Sequence, residues 1–175
     1  MNDLLADAKL AIEMEKKGYA FYAQSAEKSK NGLLKSTLAS LAERELVHIE
    51  KIKALYQSLT GEKPEGDWLK SVFVPPQKAE LLKIILNKLK DRLNRQVETE
   101  TDSEKIYETA KGLERDGFTF YEKIAKENED PNVRKFFLGL AEEEKEHFSI
   151  LDETLKYLNS PGEWFREKER WIVEG

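Results

Sequence analysis

Both histidines of the chain follow a glutamate by three residues, in the pairs Glu45–His48 and Glu144–His147. Residues three apart on a helix share a face, with their Cβ atoms about 5–6 Å apart. Such a pair can give one carboxylate and one imidazole to a single metal ion. The two pairs also stand in register. Adding 99 to a residue number (144 minus 45) carries Ala11, Glu15, Gly18, Phe21, Tyr22 and Ala26 onto Ala110, Glu114, Gly117, Phe120, Tyr121 and Ala125. The same shift carries Leu41, Ala42, Glu43, Glu45 and His48 onto Leu140, Ala141, Glu142, Glu144 and His147 without a gap. The chain therefore reads as one helical hairpin written twice.

Glu15, Glu45, His48, Glu114, Glu144 and His147 are the candidate ligands. Four carboxylates meeting in an apolar bundle repel one another and lose their hydration, and both effects oppose ionisation. Two divalent cations would balance the four charges, and two neutral imidazoles complete the coordination. Oxygen-rich ligation with imidazole and no thiolate suits iron or manganese. Zinc fits the same donors but is redox-silent. The absence of cysteine excludes disulfides, thiolate catalysis and iron–sulfur clusters.

Apolar residues at helical spacing supply the elements that must position these groups. Helices are expected over about 3–29 and 34–59, joined by Lys30-Asn31-Gly32, and over about 102–128 and 132–159, joined near Glu129-Asp130. Thr101-Asp102-Ser103-Glu104 reads as a capping box opening the third. The buried stripe of the first runs Ala8, Ile12, Glu15, Tyr19, Tyr22, Ala26, and that of the third Ile106, Ala110, Glu114, Gly117, Tyr121. Those of the second and fourth run through Leu38, Leu41, Glu45, His48, Ile52 and through Phe137, Leu140, Glu144, His147, Leu151. Glu15 and Glu45 lie about 15 residues either side of their turn, roughly 22 Å at 1.5 Å per residue, and Glu114 and Glu144 repeat the count. All four carboxylates can thus meet at one level of an all-α, antiparallel four-helix bundle.

A connection of roughly forty residues, Thr60 to Thr101, is long enough to run the length of such a bundle. It holds a Gly/Pro loop, 61–76, and an amphipathic helix, about 78–95, with Leu82, Ile85, Leu89 and Leu93 on one stripe. That helix is expected to cover the bundle or a partner subunit, and the tail with Trp164, Phe165 and Trp171 to dock or to make a dimer contact. The 175 residues fit a single domain.

Tyr22 and Tyr121 lie seven residues after a candidate ligand on the same face. Their hydroxyls would find partners in ligating carboxylates, or they serve as core aromatics. Gly18 and Gly117 imply close helix approach or space for a small oxidant. Glu43 and Glu142 point away from the ligands toward solvent. The net charge of −5 gives no reason to expect nucleic acid. No apolar run is long enough to span a bilayer, and Met1-Asn2-Asp3-Leu4 does not start a secretion signal. The expectation is a cytoplasmic protein with no membrane or nucleic-acid partner.

The six-residue set resembles the rubrerythrin branch of the ferritin-like superfamily, in which two helices give a Glu each and two give Glu-x-x-His. The runs Glu15-Lys-Lys-Gly-Tyr-Ala-Phe-Tyr22 and Glu114-Arg-Asp-Gly-Phe-Thr-Phe-Tyr121 are similar to that branch too. The resemblance covers about residues 5–158. It implies a diiron centre bridged by Glu45 and Glu144, with Glu15 and His48 at one iron and Glu114 and His147 at the other. It further implies an oxidoreductase reacting with hydrogen peroxide or dioxygen, in a homodimer that in some relatives is domain-swapped. Rubrerythrins carry a further Glu three residues after the third-helix ligand, and here that residue is Gly117. Without a rubredoxin-like domain, electrons would come from a separate rubredoxin-like protein or a small reductant. A ferroxidase or storage protein of bacterioferritin type is the second reading, and a non-catalytic helical interaction module the third.

Overall fold

The computed structural model describes residues 2–61 and 101–164. Four long helices carry these segments: α1 (Asn2–Lys28), α2 (Gly32–Thr60), α3 (Thr101–Glu127) and α4 (Pro131–Asn159). The helix expected over 78–95, and Phe165 and Trp171, lie outside the described residues. α3 is described from Thr101, the first residue of the expected capping box.

Both hairpin turns are set by a side chain that closes the following helix. Asn31 accepts from the backbone N–H groups of Leu33 and Leu34, each at 3.0 Å. Its counterpart in the second hairpin, Asp130, accepts from Asn132 at 2.8 Å and Val133 at 3.4 Å. Each cap satisfies donors that the first helical turn leaves free. Pro131 then occupies the first turn of α4, where its missing N–H costs nothing. α2 ends on Gly61 with φ +80°, a left-handed conformation that glycine adopts without a Cβ clash.

α1 packs on α2 and α3 on α4, and the hairpins meet through α1 against α3 and α2 against α4. Contacts between them run in opposite senses: Tyr22 meets Glu114, whereas Glu15 meets Tyr121. Neighbouring helices are therefore antiparallel throughout, and the end of α2 and the start of α3 lie at opposite ends of the bundle. This is an all-α ferritin-like bundle.

The core falls into two apolar layers. One holds Leu34, Leu38, Leu41, Tyr107, Ile150 and Leu151, and is closed by Trp164, whose ring meets Tyr157 edge-on at 5.5 Å. Trp164 thus docks on its own bundle. The other layer holds Ala8, Ala11, Ile52, Leu55, Phe136, Phe137 and Leu140. The candidate ligands lie between these layers, at mid-height.

The expected stripes of α2, α3 and α4 face inward, with Ile106 only partly covered. On α1 Ile12 is only partly covered, with Ala11 buried beside it, and the stripe requires a correction after Glu15. Tyr19 is 37% exposed and Gly18 is buried in its place. The buried face steps from Glu15 by three to Gly18 and then by four to Tyr22, so a residue four after Glu15 rotates out. Glu43 and Glu142 are exposed, as expected. Among the described residues no helix is long and apolar enough to cross a membrane.

Candidate metal centre

All six glutamate and histidine residues singled out by spacing are buried, each with 4% or less of its surface exposed. They form two overlapping groups. Glu15, Glu45, His48 and Glu144 offer ligand atoms within 4.8 Å of one another, and so do Glu45, Glu114, Glu144 and His147. Glu45 and Glu144 belong to both. The imidazole rings stack with centroids 5.3 Å apart, and each turns Nδ1 toward the carboxylates. His48 Nδ1 lies 3.0 Å from Glu144 and 3.6 Å from Glu15. His147 Nδ1 lies 3.1 Å from Glu144 and 3.4 Å from Glu114.

Without cations, protons must offset the charge. Burial, then the charges of Glu144 and Glu15, push the Glu45 carboxyl well above the usual range. Burial and the Glu144 charge push Glu114 up to about 8. Burial would raise Glu144 as well, but the positive charge on His48 and hydrogen bonds with Glu114 and both histidines hold it well below the usual range. Burial opposes charge on the histidines. The neighbouring carboxylates outweigh it, raising His48 well above its ordinary value and His147 to about 9. His48 Nδ1 is buried and faces this anionic cluster, 3.0 Å from Glu144. Oxygen and imidazole donors so arranged fit hard or borderline divalent ions.

The tyrosines cross between hairpins. Tyr22 on α1 donates to Glu114 on α3 at 2.5 Å, and Tyr121 on α3 donates to Glu15 on α1. Burial, and then the carboxylate each one touches, raises both hydroxyls well above the normal tyrosine value, so they remain donors. Each restrains a carboxylate that reaches a candidate metal position.

The glycines make room for carboxylates. A Cβ on Gly18 would lie 3.4 Å from Glu45 Oε2, and one on Gly117 would lie 3.4 Å from Glu144 Cγ. Beside them a cavity of about 200 Å³, lined by both glycines, both tyrosines, Met14 and Leu113, reaches the four glutamates between α1 and α3. Gly117→Ala meets only ordinary contacts and should keep its metal content, with up to about 1 kcal/mol of added helix stability. Gly117→Leu should displace Glu144 and weaken metal binding about tenfold or more, measured by metal titration.

Spacing alone did not reveal Glu143 and Lys51. Glu143 Oε2 lies 3.0 Å from His48 Nε2, and the Lys51 ammonium reaches both Glu143 oxygens at 2.6 and 2.9 Å. The one signal in the sequence was Lys51, a lysine three residues after the candidate ligand His48 on a buried face.

The rubrerythrin family model matches residues 8–112 and 105–173, spans that together take in both hairpins. No curated protein and no solved structure matches the chain. The match covers nearly the whole sequence and both copies of the Glu/His pattern, and the chain belongs to the rubrerythrin family.

Proposed function

We propose that the protein is a diiron carboxylate oxidoreductase that reduces hydrogen peroxide or dioxygen. The observation that carries this is the double membership of Glu45 and Glu144, which reach both four-donor groups. Two ions side by side would share these carboxylates. Glu15 with His48 would hold one ion, and Glu114 with His147 the other. An iron pair held there would supply two electrons, which with two protons convert peroxide into two waters or dioxygen into peroxide.

The chain's own residues prepare the site for this. The cavity between α1 and α3 admits a molecule of peroxide or dioxygen size to the carboxylates. Apolar layers above and below exclude bulk water. Tyr22 and Tyr121 hold protons on hydroxyls that touch Glu114 and Glu15. These 175 residues hold no cysteine for a thiolate-bound electron carrier, so electrons reach the site from outside them, and the working form is a homodimer.

The test is to purify the protein from iron-supplemented cells, count metal per chain and follow absorbance as peroxide meets the reduced form. The expected result is about two irons per chain, a near-ultraviolet band of the oxidised pair, and repeated turnover with an artificial reductant. Absence of stoichiometric metal, unaltered by changing Glu45 and Glu144 to Ala, would make these residues packing groups and overturn the reading.

A further inference from the structure

We infer that Glu143, anchored by Lys51, is a positioning residue that pins His48 and makes the two metal positions unequal, the ion beside Glu15 and His48 binding first and more tightly. This rests on the two-metal reading above and adds an order to it.

All six candidate ligands are duplicated by the 99-residue shift, but their surroundings are not. The counterpart of Glu143 is Arg44, and the counterpart of Lys51 is Ile150. On the His48 side, a carboxylate that only accepts hydrogen bonds lies 3.0 Å from Nε2. Nε2 must therefore carry the proton, and in the neutral ring the lone pair sits on Nδ1. That nitrogen is the one facing Glu144 and Glu15. The ring is fixed in orientation and in tautomer for ligation, and the carboxylate makes it a better donor.

Lys51 completes the device. It is only 6% exposed, and its ammonium spans both Glu143 oxygens, so the carboxylate cannot swing away from the ring. On the other side, His147 also turns Nδ1 toward its carboxylates, but its Nε2 is buried with no acceptor among the described residues. An arginine at the equivalent position offers donors only. When His147 ligates through Nδ1, its Nε2 proton is left without a partner among the described residues, a cost that His48 does not bear.

The experiment is an anaerobic titration of the metal-free protein with Co²⁺, followed by visible absorbance and by metal retained per chain. Two steps are expected, the first about 10- to 100-fold tighter, as outer partners of ligating histidines typically confer. His147→Ala should keep the tight step and lose the weak one, and His48→Ala should do the reverse. Replacing the pair together, Lys51→Met with Glu143→Leu, should bring the tight constant down to the weak one. Glu143→Gln, whose carbonyl still accepts from Nε2, should restore most of the difference.

Equal constants in the unaltered protein would overturn the proposal, as would a pair variant that weakens both steps alike. Should the pair variant fail to fold, the two histidine variants and Glu143→Gln still decide the order. Failure to take up any Co²⁺ would overturn the two-metal reading itself, whereas two equal steps would overturn only the inequality.

Discussion

Glu144→Met is expected to lower the unfolding temperature of the metal-free protein, while the same substitution at Glu45 leaves it unchanged or raises it. The two carboxylates are related by the internal repeat and are equally buried, so composition and spacing give no reason for opposite signs. Their contacts do. Glu144 reaches His48 through one oxygen at 3.0 Å and His147 through the other at 3.1 Å. Glu45 lies 4.0 and 3.9 Å from the same nitrogens. Glu144 is therefore the ionised partner of two protonated rings, and Glu45 a neutral member of the set, as Glu114 is at pH 7. Removing one partner from a buried charge pair costs about 3–5 kcal/mol. Exchanging a buried carboxyl that carries no charge for a thioether of similar length is neutral or stabilises by about 1 kcal/mol or more. Thermal unfolding in the presence of a chelator at pH 7 checks both. Shifts of the same sign would refute this division of charge. Both substitutions should abolish paired metal binding.

The second large effect is a reversal of pH dependence on loading with metal. Glu114 titrates at about 8 in the fold against an ordinary 4.5, and His147 at about 9 against 6.5. Both values are raised. Their contribution to the metal-free fold is complete below pH 4.5 and 6.5 respectively, and is lost as pH climbs through about 8 and 9. Glu144, shifted down, contributes above its ordinary value and fails only in acid, so it does not alter the trend between pH 6 and 9. The metal-free protein should thus lose stability steadily from pH 6 to pH 9. Metal binding requires these groups deprotonated, so affinity should rise over the same range, with protons released on binding. Melting curves at pH 6, 7.5 and 9, with and without metal, measure both trends. A metal-free protein that gains stability toward pH 9 would contradict the proton balance of the site.

Much of the site was legible in the sequence because helical periodicity is a strong local rule. A step of three places Glu45 with His48 and Glu144 with His147, and equal counts from two turns bring four carboxylates to one height. Where a local step is ambiguous, the reading slips: three and four residues both continue a stripe, and on α1 the bundle chose Gly18 over Tyr19. The reason is helical phase: Glu15, Gly18 and Tyr22 share the buried face, and the residue after Gly18 is turned about 100° from it.

By itself, then, the sequence determined the fold class, the two hairpins and the six buried Glu and His residues. These follow from face and height along single helices, which residue spacing encodes directly. Only the tertiary structure decided which helix lies beside which. It therefore decided that Tyr22 serves Glu114 and Tyr121 serves Glu15, not the glutamate on its own helix. It also decided that Glu143 and Lys51 stand behind one histidine alone. Periodicity fixes the direction in which a side chain leaves its helix, but not what the neighbouring helix presents there.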